Sequence, residues 1–365
     1  MIIKKAPESM SAKERMLKTF NREKTDRVSI GYEANETVHG RLAAALGIDA
    51  ADYEGVLLAL GVDYRGVGAP YIGPSLFKEL PGRRCDALDG FYTKWVENKD
   101  GGYWDFCDFP LEGADSETIA NYPVPSPDDF DYAAIASQLA RCGDFAVYIG
   151  GAGIPDIINS TGRIMGMEDT LCNLLTEDPA TMHLLRRRMD MYLSVLERIL
   201  AMYTGKIDFM WLGEDLGTQH APMISLDLYR KVLKPIHKQF IDLACAYNLP
   251  VMVHSCGYSS WVYEDFIEMG VKAVDSLQPE AANMSPAYLK GKYGDRLSFR
   301  GLISTAGPLA YGSAEDTRQD CKAILDSMTL GGGYHFAPSH AIQDNTPVEN
   351  IIAMYQAAHD FGRYI

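Results

Sequence analysis

The stretch Pro250-Val-Met-Val-His-Ser-Cys-Gly257 joins a short apolar run to a histidine and a cysteine. Its apolar residues are typical of a β-strand that is buried on both faces, as strands of a parallel sheet are. Because alternate residues of a strand point to the same side, His254 and Cys256 are expected to converge on one point. The stretch therefore predicts a buried strand that carries two chemically active side chains at its carboxyl end.

Seven other apolar segments have the same character, and helical patterns separate most of them. The predicted strands span residues 27–32, 62–67, 145–149, 207–212, 250–253, 272–277, 297–299 and 333–336. The predicted helices span about 11–21, and then 168–200, 225–247, 258–269, 314–328 and 347–361. Alternating strands and helices form a parallel sheet, and eight such units favour a closed (β/α)8 TIM barrel. No Gly-x-Gly-x-x-Gly follows a strand, which disfavours a dinucleotide-binding fold.

The segment 91–107 interrupts this alternation. Two alternating runs flank the turn Asn98-Lys-Asp-Gly-Gly102, which predicts a β-hairpin inserted in a barrel loop. No shift in composition marks a second domain. Residues 1–365 are therefore predicted to form one barrel with an N-terminal helix and this insertion.

The composition limits the partners and the location of the protein. Its formal net charge is −15, which argues against a nucleic-acid partner and against an anionic membrane surface. No apolar run matches a signal peptide or approaches the roughly 18 residues of a membrane span, so a cytoplasmic location is expected. The seven cysteines show no paired spacing and are expected to be reduced, mostly buried thiols.

Ionisable and metal-capable side chains follow six of the predicted strands. In a TIM barrel the active site lies at these carboxyl ends. Zinc binds imidazole nitrogen, thiolate sulfur and carboxylate oxygen, so the predicted metal ligands are His254, Cys256, His340 and Glu214. Asp215 is the alternative carboxylate ligand, and the acid that does not bind would support the site. The predicted catalytic residues are Glu214, Asp215 and Glu33. The alternatives are a hydrogen-bonded histidine beside a buried thiol, and two acids in a solvated turn.

Three further residues are predicted to contact the substrate. Arg300 directly follows the predicted seventh strand and could bind a carboxylate or phosphate through two hydrogen bonds. Its alternative is an internal salt bridge with a nearby acid. Gln278 follows the sixth strand, and Tyr103 belongs to the hairpin, whose aromatic residues could cover a flat ligand or form a small lid core.

With these residues, the chain resembles the uroporphyrinogen decarboxylase superfamily. The resemblance covers nearly the whole chain, and its motifs are Ser11-Ala-Lys-Glu-Arg15, Thr25-Asp-Arg-Val28, Glu214-Asp-Leu-Gly-Thr-Gln219, His254-Ser-Cys-Gly257, Lys292-Tyr-Gly-Asp295, Gly331-Gly-Gly-Tyr334 and Asp344-Asn-Thr-Pro-Val-Glu-Asn350. True decarboxylases of this superfamily carry an arginine-rich N-terminal signature. Here the first strand is followed by Glu33-Ala-Asn-Glu36, where such a substrate would meet acids.

The chain is more similar to the zinc-dependent methyltransferases of the superfamily, which work with corrinoid proteins. These resemble methylcobalamin:coenzyme M methyltransferase and the methyltransferases of anaerobic O-demethylation. Their His-x-Cys corresponds to His254 and Cys256, but their third ligand is typically a cysteine where Pro338-Ser-His340-Ala stands here. The resemblance implies a zinc ion, a cobalamin carried by a partner protein and a possible homodimer.

The expected reaction moves a methyl group between a small methylated substrate, of the methoxy or thiol type, and the cobalamin. A metal with one thiolate and two imidazoles should act as a Lewis acid on oxygen, which suits a methyl ether. One alternative is a metal-free lyase that acts on a tetrapyrrole or another carboxylate. A second alternative is a non-catalytic barrel that binds a corrinoid or porphyrinoid.

Overall fold

Eight parallel strands form the barrel in a computed structural model that describes residues 2–364. In chain order they are β1 (Ser29–Ile30), β2 (Tyr64–Gly66), β6 (Ala146–Pro155), β7 (Phe209–Gly213), β8 (Val251–His254), β9 (Ala273–Leu277), β10 (Ser298–Ile303) and β11 (Tyr334–Pro338). Strands pair with their sequence neighbours from β6 to β11, β2 pairs with β6, and β1 pairs with β11. Between β1 and β2, the Asp63 amide donates to the Ile30 carbonyl at 3.0 Å. The predicted (β/α)8 barrel is confirmed.

Helices surround the strands. They are α1 (Ala12–Phe20), α2 (Glu36–Leu46), α3 (Tyr53–Leu60), α4 (Ser116–Ala120), α5 (Ala134–Cys142), α6 (Ile157–Met165), α7 (Met167–Thr176), α8 (Pro179–Met202), α9 (Leu226–Leu228), α10 (Lys234–Ala246), α11 (Tyr263–Met269), α12 (Pro286–Tyr293), α13 (Pro308–Tyr311), α14 (Ala314–Met328) and α15 (Val348–Phe361). Single 3₁₀ turns span Pro127–Asp129 and Ser260–Val262, and one π turn spans Tyr229–Leu233. Within residues 2–364, no helix is long and apolar enough to cross a bilayer.

The sequence-based boundaries are wrong where local chemistry interrupts a periodic pattern. The helix predicted over 168–200 is two helices, because Glu177 is left-handed at φ 52° and Pro179 begins α8. The Asp178 side chain accepts from the Thr181 amide and caps that second helix. Periodicity of apolar residues continues across the break and so does not reveal it.

A second, three-stranded antiparallel sheet includes the segment 91–107. Its strands are β3 (Arg84–Cys85), β4 (Tyr92–Val96) and β5 (Tyr103–Cys107). At the tip of the hairpin, Asn98 Nδ2 donates to Asp344 Oδ2 at 2.6 Å and Thr37 Oγ1 donates to the Gly102 carbonyl at 3.4 Å. Asp344 follows β11 and Thr37 follows β1, so the hairpin lies over the carboxyl-end face of the barrel.

A buried ion-pair cluster joins α1 to the amino-terminal ends of β1 and β2. Asp63 accepts hydrogen bonds from Arg15 and Arg27 and, at 2.7 Å, from the Ile30 amide. Arg15 also pairs with Asp26 at 2.7 Å. Both arginines and Asp63 are at most 1% exposed. The carboxylates of the cluster therefore supply the hydrogen bonds that water would otherwise make to the two buried guanidinium groups.

Candidate metal centre

Three side chains that follow β7 and β8 converge at the carboxyl-end face of the barrel. Ligand atoms of Asp215, His254 and Cys256 all lie within 4.8 Å of one another. His254 Nε2 lies 3.4 Å from Cys256 Sγ and 3.8 Å from Asp215 Oδ1. These atoms are brought together because β7 and β8 are neighbours in register, with Gly213 paired to His254. The arrangement offers one nitrogen, one sulfur and one oxygen donor to a single ion.

The orientation of His254 is fixed from behind by Asp275. The Nδ1 atom of His254 lies 3.0 Å from Asp275 Oδ2, on the neighbouring strand β9. Asp275 is fully buried and also accepts a hydrogen bond from Arg300. A carboxylate bound to Nδ1 leaves Nε2 to face the site, as in carboxylate–histidine–metal arrangements.

Electrostatic contacts favour the thiolate form of Cys256. Burial raises the pKa of the thiol, but hydrogen bonds with His254 and His340 outweigh it and hold the pKa below its usual value. Burial likewise opposes a charged His254, yet contacts with Asp275 and Cys256 raise its pKa well above the usual value. A metal binds the thiolate form of cysteine and the neutral form of histidine. Metal binding would therefore release the proton that His254 holds in the free protein.

Asp215 is held in place by two donors. The Cys256 amide donates to its Oδ1 at 2.7 Å, and Asn159 Nδ2 of α6 donates to its Oδ2 at 2.8 Å. Burial raises the pKa of Asp215, but the charge of His254 and these hydrogen bonds lower it overall. Asp215 is therefore an oriented carboxylate beside the histidine and the cysteine.

Two of the predicted ligands lie outside this group. Glu214 accepts from the Ile157 and Ile158 amides at 2.7 and 2.9 Å, and its Oε2 lies 3.0 Å from His237 Nε2. The Glu214 carboxylate therefore binds the amino terminus of α6 and is not part of the group within residues 2–364. Its predicted metal and catalytic roles stay predictions. His340 contacts the Cys256 sulfur, but it is not part of the mutual group within residues 2–364. Its role as a ligand stays a prediction.

Arg300 is an internal ion-pair partner. Its Nε donates to Tyr64 Oη at 2.9 Å, and its terminal nitrogens bind Asp275 and Glu33, the latter at 3.1 Å. Arg300 is fully buried, so the predicted substrate contact would require breaking these ion pairs. The salt-bridge alternative describes this structure, and Glu33, predicted as a catalytic acid, is one of the two carboxylates that neutralise the guanidinium.

The other two predicted substrate contacts lie in different places. Gln278 Oε1 accepts from the Gly257 amide at 2.7 Å, which places its side chain beside the loop that carries Cys256. Tyr103 belongs to β5 and pairs with Val96. It alternates with Trp104 and therefore points to the opposite face of the hairpin from that residue. Gln278 borders the site, and both roles stay predictions.

Three residues that border the site were missed in the sequence. Asp275 could have been noticed as a charged residue within an otherwise apolar strand, since such residues are rarely buried without a partner. Asp156 follows β6 with a left-handed φ of 42° and lies 3.2 Å from Arg163. Burial and the charge of Glu214 raise its pKa to about 7. Neither Asp156 nor Asn159 carries a signal in the sequence alone.

The support of His254 by Asp275 leads to a prediction. Asp275→Asn should weaken zinc binding by about 10- to 100-fold, because the amide holds the imidazole less firmly and makes it less basic. The measurement is a zinc dissociation constant from competition with a chelator. Asp265→Asn is the matched control, since Asp265 is also buried and pairs with Arg230 at 3.0 Å far from the site. Equal zinc affinity in the two variants would contradict the assigned role.

Together, the barrel and the imidazole, thiol and carboxylate groups at its carboxyl-end face define a class of protein. It is a (β/α)8-barrel protein with an enzyme-type site that is suited to a borderline-soft metal such as zinc. Residues 119–361 match the family model described as uroporphyrinogen decarboxylase (URO-D). The chain belongs to this family.

Similar proteins extend this finding. A protein of Methylococcus capsulatus that is named uroporphyrinogen decarboxylase is 27% identical over 265 residues, which cover 69% of this chain and 71% of that protein. A second protein of that name, from Actinobacillus succinogenes, is 23% identical and covers 70% of each chain. Among solved structures, a methyltransferase from Methanosarcina mazei matches 97% of this chain and 99% of its own with a TM-score of 0.63. At 17% identity, that likeness shows the fold alone.

Proposed function

We propose that the protein is a zinc-dependent methyltransferase that moves a methyl group between a small methylated substrate, of the methoxy or thiol type, and the cobalamin of a corrinoid protein. The observation that carries the proposal is the convergence of Asp215, His254 and Cys256 within 4.8 Å. The resemblance of the His-Ser-Cys motif to zinc- and corrinoid-dependent methyltransferases supports it.

The donor set fits zinc. His254, Cys256 and Asp215 would hold the ion, which leaves one position of a tetrahedral site for another ligand, as catalytic zinc sites do. When bound, zinc supplies a Lewis acid that polarises an oxygen or sulfur atom. Asp275 keeps Nε2 of His254 directed at the site, and Asn159 keeps the carboxylate of Asp215 there.

Release of an alcohol from a methyl ether requires a proton on the departing oxygen. Asp156 is the candidate carrier of that proton, because burial and the charge of Glu214 raise its pKa to about 7 in the absence of a metal ion. A group with a pKa near the working pH exchanges protons most effectively. The pKa of Asp215 is lowered, so Asp215 stays a carboxylate.

A second candidate function is metal-free decarboxylation of a tetrapyrrole or another carboxylate. The names of the two bacterial relatives favour it. The charges around the site argue against a substrate with many carboxylates. Asp156 and Asp215 border the centre, while Arg300 is fully buried and paired with Glu33 and Asp275, and Arg163 is paired with Asp156. Such a substrate would meet more negative than available positive charge at short range.

Zinc removal and reloading test the proposal. We expect one tightly held zinc per chain after reloading and dialysis, measured by plasma mass spectrometry. The reloaded protein should convert cob(I)alamin to methylcobalamin with methoxybenzene or methanethiol as donor, and the chelated protein should not. Cobalamin absorbance follows the reaction.

Two outcomes would oppose the proposal. Decarboxylation of uroporphyrinogen by the chelated protein, without methyl transfer by the reloaded one, would favour the second candidate. Binding of cobalamin without turnover in either form would favour a non-catalytic corrinoid-binding barrel.

A further inference from the structure

A cavity of about 320 Å³ lies between α6 and the hairpin sheet, beside the candidate metal centre. We name it the ring subsite, and it is lined by Phe106, Phe109, Asn159, Gly162, Arg163 and Met167. It adjoins the centre because Asn159, one of its wall residues, donates to Asp215 at 2.8 Å. A volume of roughly 300 Å³ is at the lower end of small-molecule pockets and suits a ligand with one ring.

Arg163 supplies the positive charge of the ring subsite. Its Nη2 lies 3.2 Å from Asp156, which is the one carboxylate that pairs with it in the part of the chain that the structure describes. An arginine has five N–H donors in a planar fork, so one such contact leaves donors for a second anion. The Arg163 side chain is 27% exposed and is therefore accessible to a ligand.

The remaining walls are apolar and partly open. Phe106 and Met167 are 42% and 38% exposed, so both side chains are accessible to a ligand. The Arg163 guanidinium carbon lies 5.0 Å from the Phe106 ring centroid and 5.7 Å from that of Phe91. The walls thus combine aromatic and thioether surface with a guanidinium that lies over the Phe106 ring.

We propose that the ring subsite binds a monocyclic aromatic carboxylate, with its ring against Phe106 and Met167 and its carboxylate on Arg163. The inference rests on the proposed function, because it assigns this ligand class to the substrate whose methyl group is transferred. Aromatic contact and a two-point hydrogen bond to a carboxylate explain why these residue types stand together. A neutral or purely aliphatic substrate would leave one of the two walls unused.

The test is equilibrium binding of benzoate to the full chain, with and without zinc, by calorimetry. We expect wild-type protein to bind benzoate more tightly than benzyl alcohol, its neutral analogue. Arg163→Gln should weaken benzoate binding by about 10- to 100-fold and leave benzyl alcohol unchanged, because only the carboxylate meets the guanidinium. The benzoate affinity of Arg163→Lys should lie between those of wild type and Arg163→Gln, since lysine keeps the charge and loses the planar fork of donors.

Two further variants make the result specific. Phe106→Ala should weaken the binding of both benzoate and benzyl alcohol, because the exposed ring would contact each ligand. Arg198→Gln is the matched control, since Arg198 also pairs with an aspartate, Asp128 at 2.6 Å, and lies over an aromatic ring, that of Tyr132. It should bind benzoate as wild type does.

The outcomes separate this inference from the proposed function. Undetectable benzoate binding to wild type, or equal affinities in Arg163→Gln and wild type, would overturn the ring subsite and leave zinc binding untouched. Failure to bind zinc, with benzoate still bound through Arg163, would overturn the proposed function and keep the ligand class of the cavity.

Discussion

Replacement of Cys256 by serine is expected to weaken zinc binding by about 100- to 1,000-fold and to remove methyl transfer at ordinary zinc concentrations. Zinc sites in small peptides bind with about 10–16 kcal/mol, which corresponds to about 2.5–4 kcal/mol for each of four ligands. A serine hydroxyl is not ionised near neutral pH, whereas hydrogen bonds with His254 and His340 hold the Cys256 pKa below its usual value despite burial. The variant therefore loses the only sulfur donor of the group.

The measurement is zinc content after dialysis, combined with chelator competition. Cys245→Ser is the control, because Cys245 is an exposed free thiol on α10 and should not contribute. If Cys256→Ser keeps one zinc per chain with wild-type affinity, the metal lies elsewhere or the site works without it. An unchanged methyl-transfer rate in that variant would also remove the thiol from the mechanism.

The barrel could be predicted because its signal is repeated. Eight apolar runs, most of them separated by helical patterns, indicate strands that are buried on both faces. An error of a few residues in any one boundary does not change the topology. The convergence of His254 and Cys256 could also be predicted, since alternate residues at the end of a strand point to the same side. All seven cysteines are free thiols, as the absence of paired spacing predicts. The expectation that most of them are buried is wrong, because only Cys142 and Cys321 are.

The choice between Glu214 and Asp215 could not be made from the sequence. Adjacent residues after a strand point in different directions, so an error of one residue exchanges the candidate ligand for the residue that caps α6. Only the structure shows Glu214 at the amide groups that begin α6 and Asp215 beside His254.

The residues behind the site depend on long-range register. Asp275 meets His254 because β8 and β9 pair at those two positions, and it meets Arg300 across the irregular pairing of β9 with β10. A single sequence contains no information on such pairing beyond the order of its strands. The internal salt bridge of Arg300 could therefore be weighed as an alternative but not chosen.

The motifs near the amino terminus supply Arg15 and Arg27, whose buried ion pairs with Asp63 stabilise the fold. Asp63→Ala should lower the free energy of unfolding by about 3–5 kcal/mol, the usual cost of removing one member of a buried ion pair. Arg15 and Arg27 are at most 1% exposed, and both would lose their shared carboxylate. The Ile30 amide would lose its acceptor as well. Urea unfolding followed by circular dichroism measures the change.

The position of this cluster lets the prediction test whether one end of the barrel contributes stability and the other end carries the site. Asp63 immediately precedes β2, at the amino-terminal end of the barrel, where side chains of TIM barrels serve stability, while the opposite end carries the site. Below its unfolding transition, Asp63→Ala should therefore bind zinc with wild-type affinity per folded molecule, whereas Cys256→Ser should keep its stability and lose zinc. Asp128→Ala, which removes an exposed partner of Arg198, should change stability by less than about 1 kcal/mol. A loss in Asp63→Ala no larger than that of Asp128→Ala would show that the two buried arginines find other partners, and a parallel loss of zinc affinity would show that the two ends of the barrel are coupled.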